Sequence, residues 1–179
     1  MTQLHVMIDI ETLGLQQYAM LLSVGAVRFN PLTGAIEEEL ELFPELTIGH
    51  IDPSTVLWWL GQPEAARLAL LGRERSDHRE CADQLQAFVR ETGSGAMIWA
   101  VGPQFDIACL EWHLSPSDGK PLWHYRQIAD ARTMRLFHES SIPRGDDVEH
   151  TALGDARAQA RWVSEVLHHL NYIPKDTAP

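Results

Sequence analysis

The stretch HVMIDIETLG, residues 5–14, decides how the chain is read. Val6, Met7, Ile8 and Ile10 belong to a strand entering a core, yet Asp9 and Glu11 interrupt them. Residues two apart in a strand project from the same face, about 6–7 Å from each other. Two carboxylates at that range repel by a few kcal/mol at an intermediate dielectric. They persist when solvated, protonated or bridged by a cation, and hard oxygen donors suit Mg²⁺ or Mn²⁺ rather than zinc. On its own the pair reads equally well as the solvated rim of a strand.

The flanking sequence supplies the rest of a sheet. LLSVGAVRFN (21–30) reads as a second strand, with a turn through Asn30, Pro31 and Gly34. AIEEELELF (35–43) completes an antiparallel meander, with Ile36, Leu40 and Leu42 facing one side. Helices follow. Asp52 caps one that begins at Pro53, PEAARLALLG starts another, and SDHRECADQLQAFVRETG gives a third with Leu85, Phe88 and Val89 on one face and Gly93 as its stop. AMIWAVG (96–102) is a buried strand leading into the helix PQFDIACLEWHL, and YRQIADART holds a last short strand. A Ser/Pro/Gly/Asp-rich loop over 140–149 precedes the long helix ALGDARAQARWVSEVLHHL. The fold class is therefore α/β, a mixed sheet of antiparallel meander plus parallel strands flanked by helices. Sites in such sheets form where parallel strands end beside helix N-termini.

At 179 residues the chain is expected to form a single domain over 1–179, with 173–179 a frayed tail. Neither a membrane span nor a secretory leader is visible, so a cytoplasmic location is the default. Cys81 and Cys109 match no zinc or disulfide spacing, and Cys109 reads as a buried free thiol. A net charge of −11 argues against broad, non-specific attraction to nucleic acid, though not against an enzyme that grips one strand end through metal ions.

Two further segments bear on the acids of the first strand. Phe105-Asp106 places a carboxylate in the first turn of the helix after the buried strand. Alone, this is a favourable helix-terminal acid. HTALGDARAQA places His150 five residues before Asp155, the histidine at a loop end and the aspartate within a helix. Alone, they read as an exposed histidine and a solvated acid. Taken together in this order, the three segments resemble the motifs of the DEDDh exonucleases. That DnaQ-like group with an RNase H-like fold includes RNase T, oligoribonuclease and polymerase proofreading subunits. Asp-x-Glu-Thr matches Asp9, Glu11 and Thr12; Phe-Asp matches Phe105 and Asp106; His and Asp five apart match His150 and Asp155. The likeness spans roughly 5–170, and STVLWWLGQPEAAR and WAVGPQFD look most like a small phage and bacterial RNase T-like branch. The chain departs from that branch in carrying Ala100-Val101 where Gly-Asn-Gly is usual, which removes an asparagine from a substrate-facing loop.

The resemblance implies a 3′-5′ exonuclease that releases nucleoside 5′-monophosphates from single-stranded RNA or DNA 3′ ends or from 3′ overhangs, with RNA slightly favoured. It implies two Mg²⁺ or Mn²⁺ ions about 3.5–4 Å apart, held by Asp9, Glu11, Asp106 and Asp155. His150 would be the general base, since imidazole as a class titrates near neutrality, and its place after the loop implies that it swings in when substrate binds. Thr12, Leu13, Gly14 and Phe105 would lie against the terminal nucleotide. A homodimer, common in the family, is permitted. The competing reading is a catalytically silent module of the same fold that tethers nucleic acid or a polymerase. All five motif positions are filled, which favours the enzyme.

Other residues read more plainly. Of Trp58 and Trp59, adjacent in a helix, at most one can face a cleft while the other packs inside. His168 and His169 near a helix end cannot converge on one ion. Asp130 is expected to be a buried, hydrogen-bonded acid, and Glu37, Glu38, Glu39 and Glu41 a solvated strand face. Arg67, Arg73, Arg75, Arg126, Arg132, Arg135 and Arg144 are the scattered candidates for phosphate contacts.

Overall fold

A computed structural model of the chain describes residues 3–138, 145 and 147–172. The expected tail at 173–179, most of the loop expected over 140–149, and Arg144 lie outside the described residues.

The apolar opening run forms β1 (His5–Thr12), followed by β2 (Leu21–Phe29) and β3 (Ile36–Leu42). These pair antiparallel, while β4 (Ile98–Ala100) and β5 (Ile128–Asp130) add in parallel, giving the order β3-β2-β1-β4-β5. The expected mixed sheet is thus the architecture. Three helices separate β3 from β4: α1 (Pro53–Leu60), α2 (Glu64–Ala69) and α3 (His78–Thr92). Asp52 caps α1 by accepting from the Ser54 N–H, and Asp77 caps α3 by accepting from Arg79 and Glu80. α3 stops at Gly93, whose φ of 101° closes the helix at little cost only for glycine. α4 (Pro103–His113) follows β4, α5 (Ala131–Met134) follows β5, and α6 (Ala152–His169) ends the described fold. No helix among the described residues is long and apolar enough to cross a membrane.

Alternation along the strands divides the core between the two sheet faces. Val6, Ile8, Ile10, Val24 and Ala26 pack with Leu85, Phe88 and Val89 of α3 and Ile107 and Leu110 of α4. Met7, Val27 and Phe29 pack on the other face against Ala156, Ala160, Val163 and Val166 of α6. The alanines let α6 lie close to the sheet. Cys81 and Cys109 are buried free thiols, which burial pushes up to about 11 and about 12, so neither is a nucleophile near neutrality.

Three expectations are corrected here. Ile36 does not share a side with Leu40 and Leu42: the β2–β3 register slips at Arg28/Phe29, so Phe29 faces Ile36 while Arg28 faces Glu38. Glu37 is the extra residue of a bulge, and the flip sends Ile36 to the α6 face. Glu37, Glu38 and Glu39 are exposed, as expected, but the glutamates do not share one face. Glu38 pairs with Arg28, whose guanidinium lies over Phe88 on the α3 face, and Glu39 is held by Arg157 of α6 at 2.7 Å. That hydrogen bond keeps Glu39 below the usual carboxylate range. Asp130 is exposed rather than buried. It caps α5, accepting from the Arg132 N–H and the Thr133 hydroxyl.

His5 begins β1 at 2% exposure, its Nδ1 accepting from the Trp99 indole at 3.0 Å. Burial lowers its pKa from 6.5 to about 4. The unfolded chain therefore binds the proton more readily, and stability that is complete above pH 6.5 is lost as the pH falls toward 4. Relative to His5→Gln, in which other titrating groups cancel, the protein is expected to lose about 2 kcal/mol between pH 7 and pH 5. Urea unfolding of both proteins at the two pH values checks this; parallel pH profiles would refute it.

Candidate active site

The site is built where β1 ends under the first turns of α6. Gly25 on β2 stands opposite Asp9, and Ser23 opposite Glu11. A β-carbon at Gly25 would lie 2.2 Å from the Ala152 carbonyl carbon and 2.3 Å from the Leu153 nitrogen, both backbone atoms. Glycine there lets the start of α6 rest directly on β2, and that seating carries Asp155 over β1. One carboxylate oxygen from each of Asp9, Glu11 and Asp155 lies within 4.8 Å of the others. At that separation each ionised pair repels by about 3 kcal/mol at an effective dielectric of ~20. Glu11 is buried, and Asp9 and Asp155 are half-buried.

Hydrogen bonds hold this cluster in register. The His150 backbone N–H donates to Asp155 Oδ2 at 3.0 Å. Gln159, one turn beyond Asp155, donates through Nε2 to Asp9 Oδ1 at 2.8 Å. His150 has a φ of 61°, and its ring packs edge-on against Trp58 with centroids 4.9 Å apart. Asp106 occupies the first turn of α4, after Gly102 and Pro103, at 7% exposure. Burial raises its pKa to about 7, opposed in part by Arg132. It does not join the close trio, and neither does the His150 ring.

A cavity of about 510 Å³ opens beside Glu11, with Thr12, Gly14, Leu15, Trp58 and Phe105 in its walls. A volume of this order holds a small organic ligand. The two tryptophans divide as their 100° helical offset requires. Trp59 is buried and donates its indole N–H to the Thr12 carbonyl at 3.0 Å, fixing α1 against the end of β1. Trp58, 45% exposed, faces the cavity. The Thr12 hydroxyl donates to the Gly14 carbonyl at 2.7 Å and shapes the strand exit. Leu13 packs beside Leu22 and Trp59, with its N–H bonded to Met20 and its carbonyl to Asp52, while Leu15, 76% exposed, forms the wall.

The sequence reading did not single out Gly25, Gln159 or Leu15. Only Gln159 carries a signal that could have found it: it lies one helical turn after Asp155 and so shares that residue's face. Among the arginines, Arg75 is taken up by the Leu22 and Pro44 carbonyls, and Arg135 lies over Trp162. Arg132 reaches the Val101 carbonyl at 3.1 Å, at the turn leading to Asp106. His169 stacks on His138, with ring centroids 4.6 Å apart.

A family described as the 3′-5′ exoribonuclease Rv2179c-like domain matches residues 4–167. Solved structures share the fold: product-bound exonuclease I aligns with a TM-score of 0.62 at 14% identity, covering 94% of this chain and 44% of that one. E. coli exonuclease I in complex with a dT13 oligonucleotide aligns at 0.57 and 15% identity, covering 94% and 41%. The zinc-bound E. coli exonuclease I–single-stranded DNA complex aligns at 0.58 and 14% identity, covering 94% and 40%. The chain thus spans less than half the length of these structures, and its architecture is the RNase H-like one they share. No curated protein matches it in sequence. Nothing in these likenesses supports the expected homodimer.

Proposed function

The chain belongs to the Rv2179c-like 3′-5′ exoribonuclease family, within the DEDDh-type exonucleases, and from that premise we propose that it removes nucleoside 5′-monophosphates from the 3′ ends of single-stranded RNA with the help of divalent cations. The observation that carries the reading is the convergence of Asp9, Glu11 and Asp155 from two distant elements onto one point beside an open cavity. Three hard carboxylate donors fit Mg²⁺ or Mn²⁺. Asp9, Glu11 and Asp155 would hold the ions, with Asp106 approaching from α4. Bound there, the cations offset the charge that builds on a phosphodiester under attack.

The chain's own groups complete the chemistry. The His150 imidazole takes the proton of the attacking water. Its ring now lies on Trp58, the surface on which a nucleobase would stack for about 1–3 kcal/mol. A base settling on Trp58 displaces the His150 ring, so that occupation of the cavity and release of the proton acceptor are one event. Phe105 and Leu15 flank the terminal nucleotide, and Thr12 and Gly14 line the cavity beside Glu11. The family's description supports an RNA 3′ end, with DNA as the weaker substrate.

The test is a set of matched 5′-labelled RNA and DNA oligonucleotides, single-stranded and with 3′ overhangs, incubated with Mg²⁺ or Mn²⁺. A ladder shortening by single nucleotides from the 3′ end is expected, faster on RNA and abolished by EDTA. Internal cuts, or digestion undiminished by the chelator, would reject the proposal.

A further inference from the structure

Gln159 of α6 sits in the site but in none of the roles above. Its Nε2 donates to Asp9 Oδ1 at 2.8 Å, while its Oε1 is buried and has no hydrogen-bond partner among the described residues. The amide cannot be turned over, because its oxygen would then face a carboxylate oxygen at the same distance, acceptor against acceptor. The orientation is therefore fixed by chemistry: the nitrogen holds Asp9 and the oxygen points away from it, in want of a donor. A buried carbonyl without a donor is costly to keep, and a packing role alone would be served better by leucine. The i, i+4 spacing gives Asp155 and Gln159 the same helix face, so one turn of α6 supplies both a carboxylate and the group that orients another carboxylate on β1.

We propose that Gln159 is the positioning residue of the metal site: its N–H fixes the rotation of the Asp9 carboxylate and so presents the other carboxylate oxygen to the cation that Asp9 would hold. Partners that orient a ligating side chain commonly change metal affinity or activity 10–100-fold when removed, on the order expected here. The inference rests on the proposed divalent-ion site, and the experiment separates the two.

Mn²⁺ binding to the nucleic-acid-free protein is measured by electron paramagnetic resonance of the unbound ion, for the wild type and Gln159→Leu, with metal-free melting temperature and circular dichroism alongside. Mn²⁺ affinity is expected to fall 10–100-fold in the variant while the metal-free melting temperature barely moves. A residue that merely packs the helix would do the reverse, shifting the melting temperature and leaving affinity intact. Should Gln159→Leu not fold, Gln159→Asn keeps the amide but is one methylene too short to reach Asp9, and the same loss is expected. If the wild type binds Mn²⁺ and the folded variant binds it within twofold, the role of Gln159 is overturned and the ion site stands. If the wild type binds no Mn²⁺, both are overturned.

Discussion

Gly25→Ala is expected to cut turnover of a 3′-end substrate at least ~100-fold and to lower unfolding free energy by about 3 kcal/mol. Backbone conformation does not account for the cost: Gly25 is not among the glycines with positive φ, and an alanine tolerated in a strand would stabilise by restricting the unfolded chain. The collision decides the sign. The new methyl would stand 2.2 Å from the Ala152 carbonyl carbon, and every near neighbour is helix backbone that cannot rotate away. α6 must lift by more than an ångström, and Asp155 lifts with it, out of reach of Asp9 and Glu11. A displacement of that size at reacting groups is enough for a hundredfold loss. Urea unfolding and single-turnover cleavage measure the two effects together. An alanine variant as stable and active as the wild type would show that α6 is not seated through this glycine.

The second large effect belongs to the carboxylate cluster. Asp9→Asn keeps the shape of the side chain and removes its charge, and turnover is expected to fall by three orders of magnitude or more, equivalent to about 4 kcal/mol of lost transition-state stabilisation. Circular dichroism should be unchanged, since the amide can still accept from Gln159. The loss should be largely insensitive to added Mn²⁺, because what is missing is a ligand and not occupancy alone. Activity within tenfold of the wild type would remove Asp9 from the chemistry.

Much of this arrangement was legible in the chain itself. Asp9 and Glu11 stand out because two acids interrupt an apolar strand, and Asp155 because His150 and Asp155, five apart, match the third motif of the DEDDh resemblance. Each motif is short and lies within one element or its flank. What brings them together is not local. Gly25 reads as an ordinary glycine inside LLSVGAVRF, and its reason is a helix backbone well over a hundred residues further on. The division between Trp58 and Trp59 followed from helical geometry, but which of the two faced the cavity depended on the Trp59 indole finding the Thr12 carbonyl. Ile36 was misread because a bulge inverts alternation, and a bulge is set by pairing with a neighbour and not by composition. Asp130 was misread because a short helix after β5 gave it a capping role at the surface.

That bulge has a consequence for the molecule in a crowded cell. Among the described residues β3 is a border strand, with one row of peptide groups unclaimed by any neighbour in the sheet. Seven residues of regular ribbon there would invite a stray strand from another chain, the first step toward fibrils. The kink at Glu37 breaks the ribbon's flatness, and the exposed charge of Glu37 disfavours an identical copy alongside. The bulge and the acidic run together make this margin a poor template for another strand.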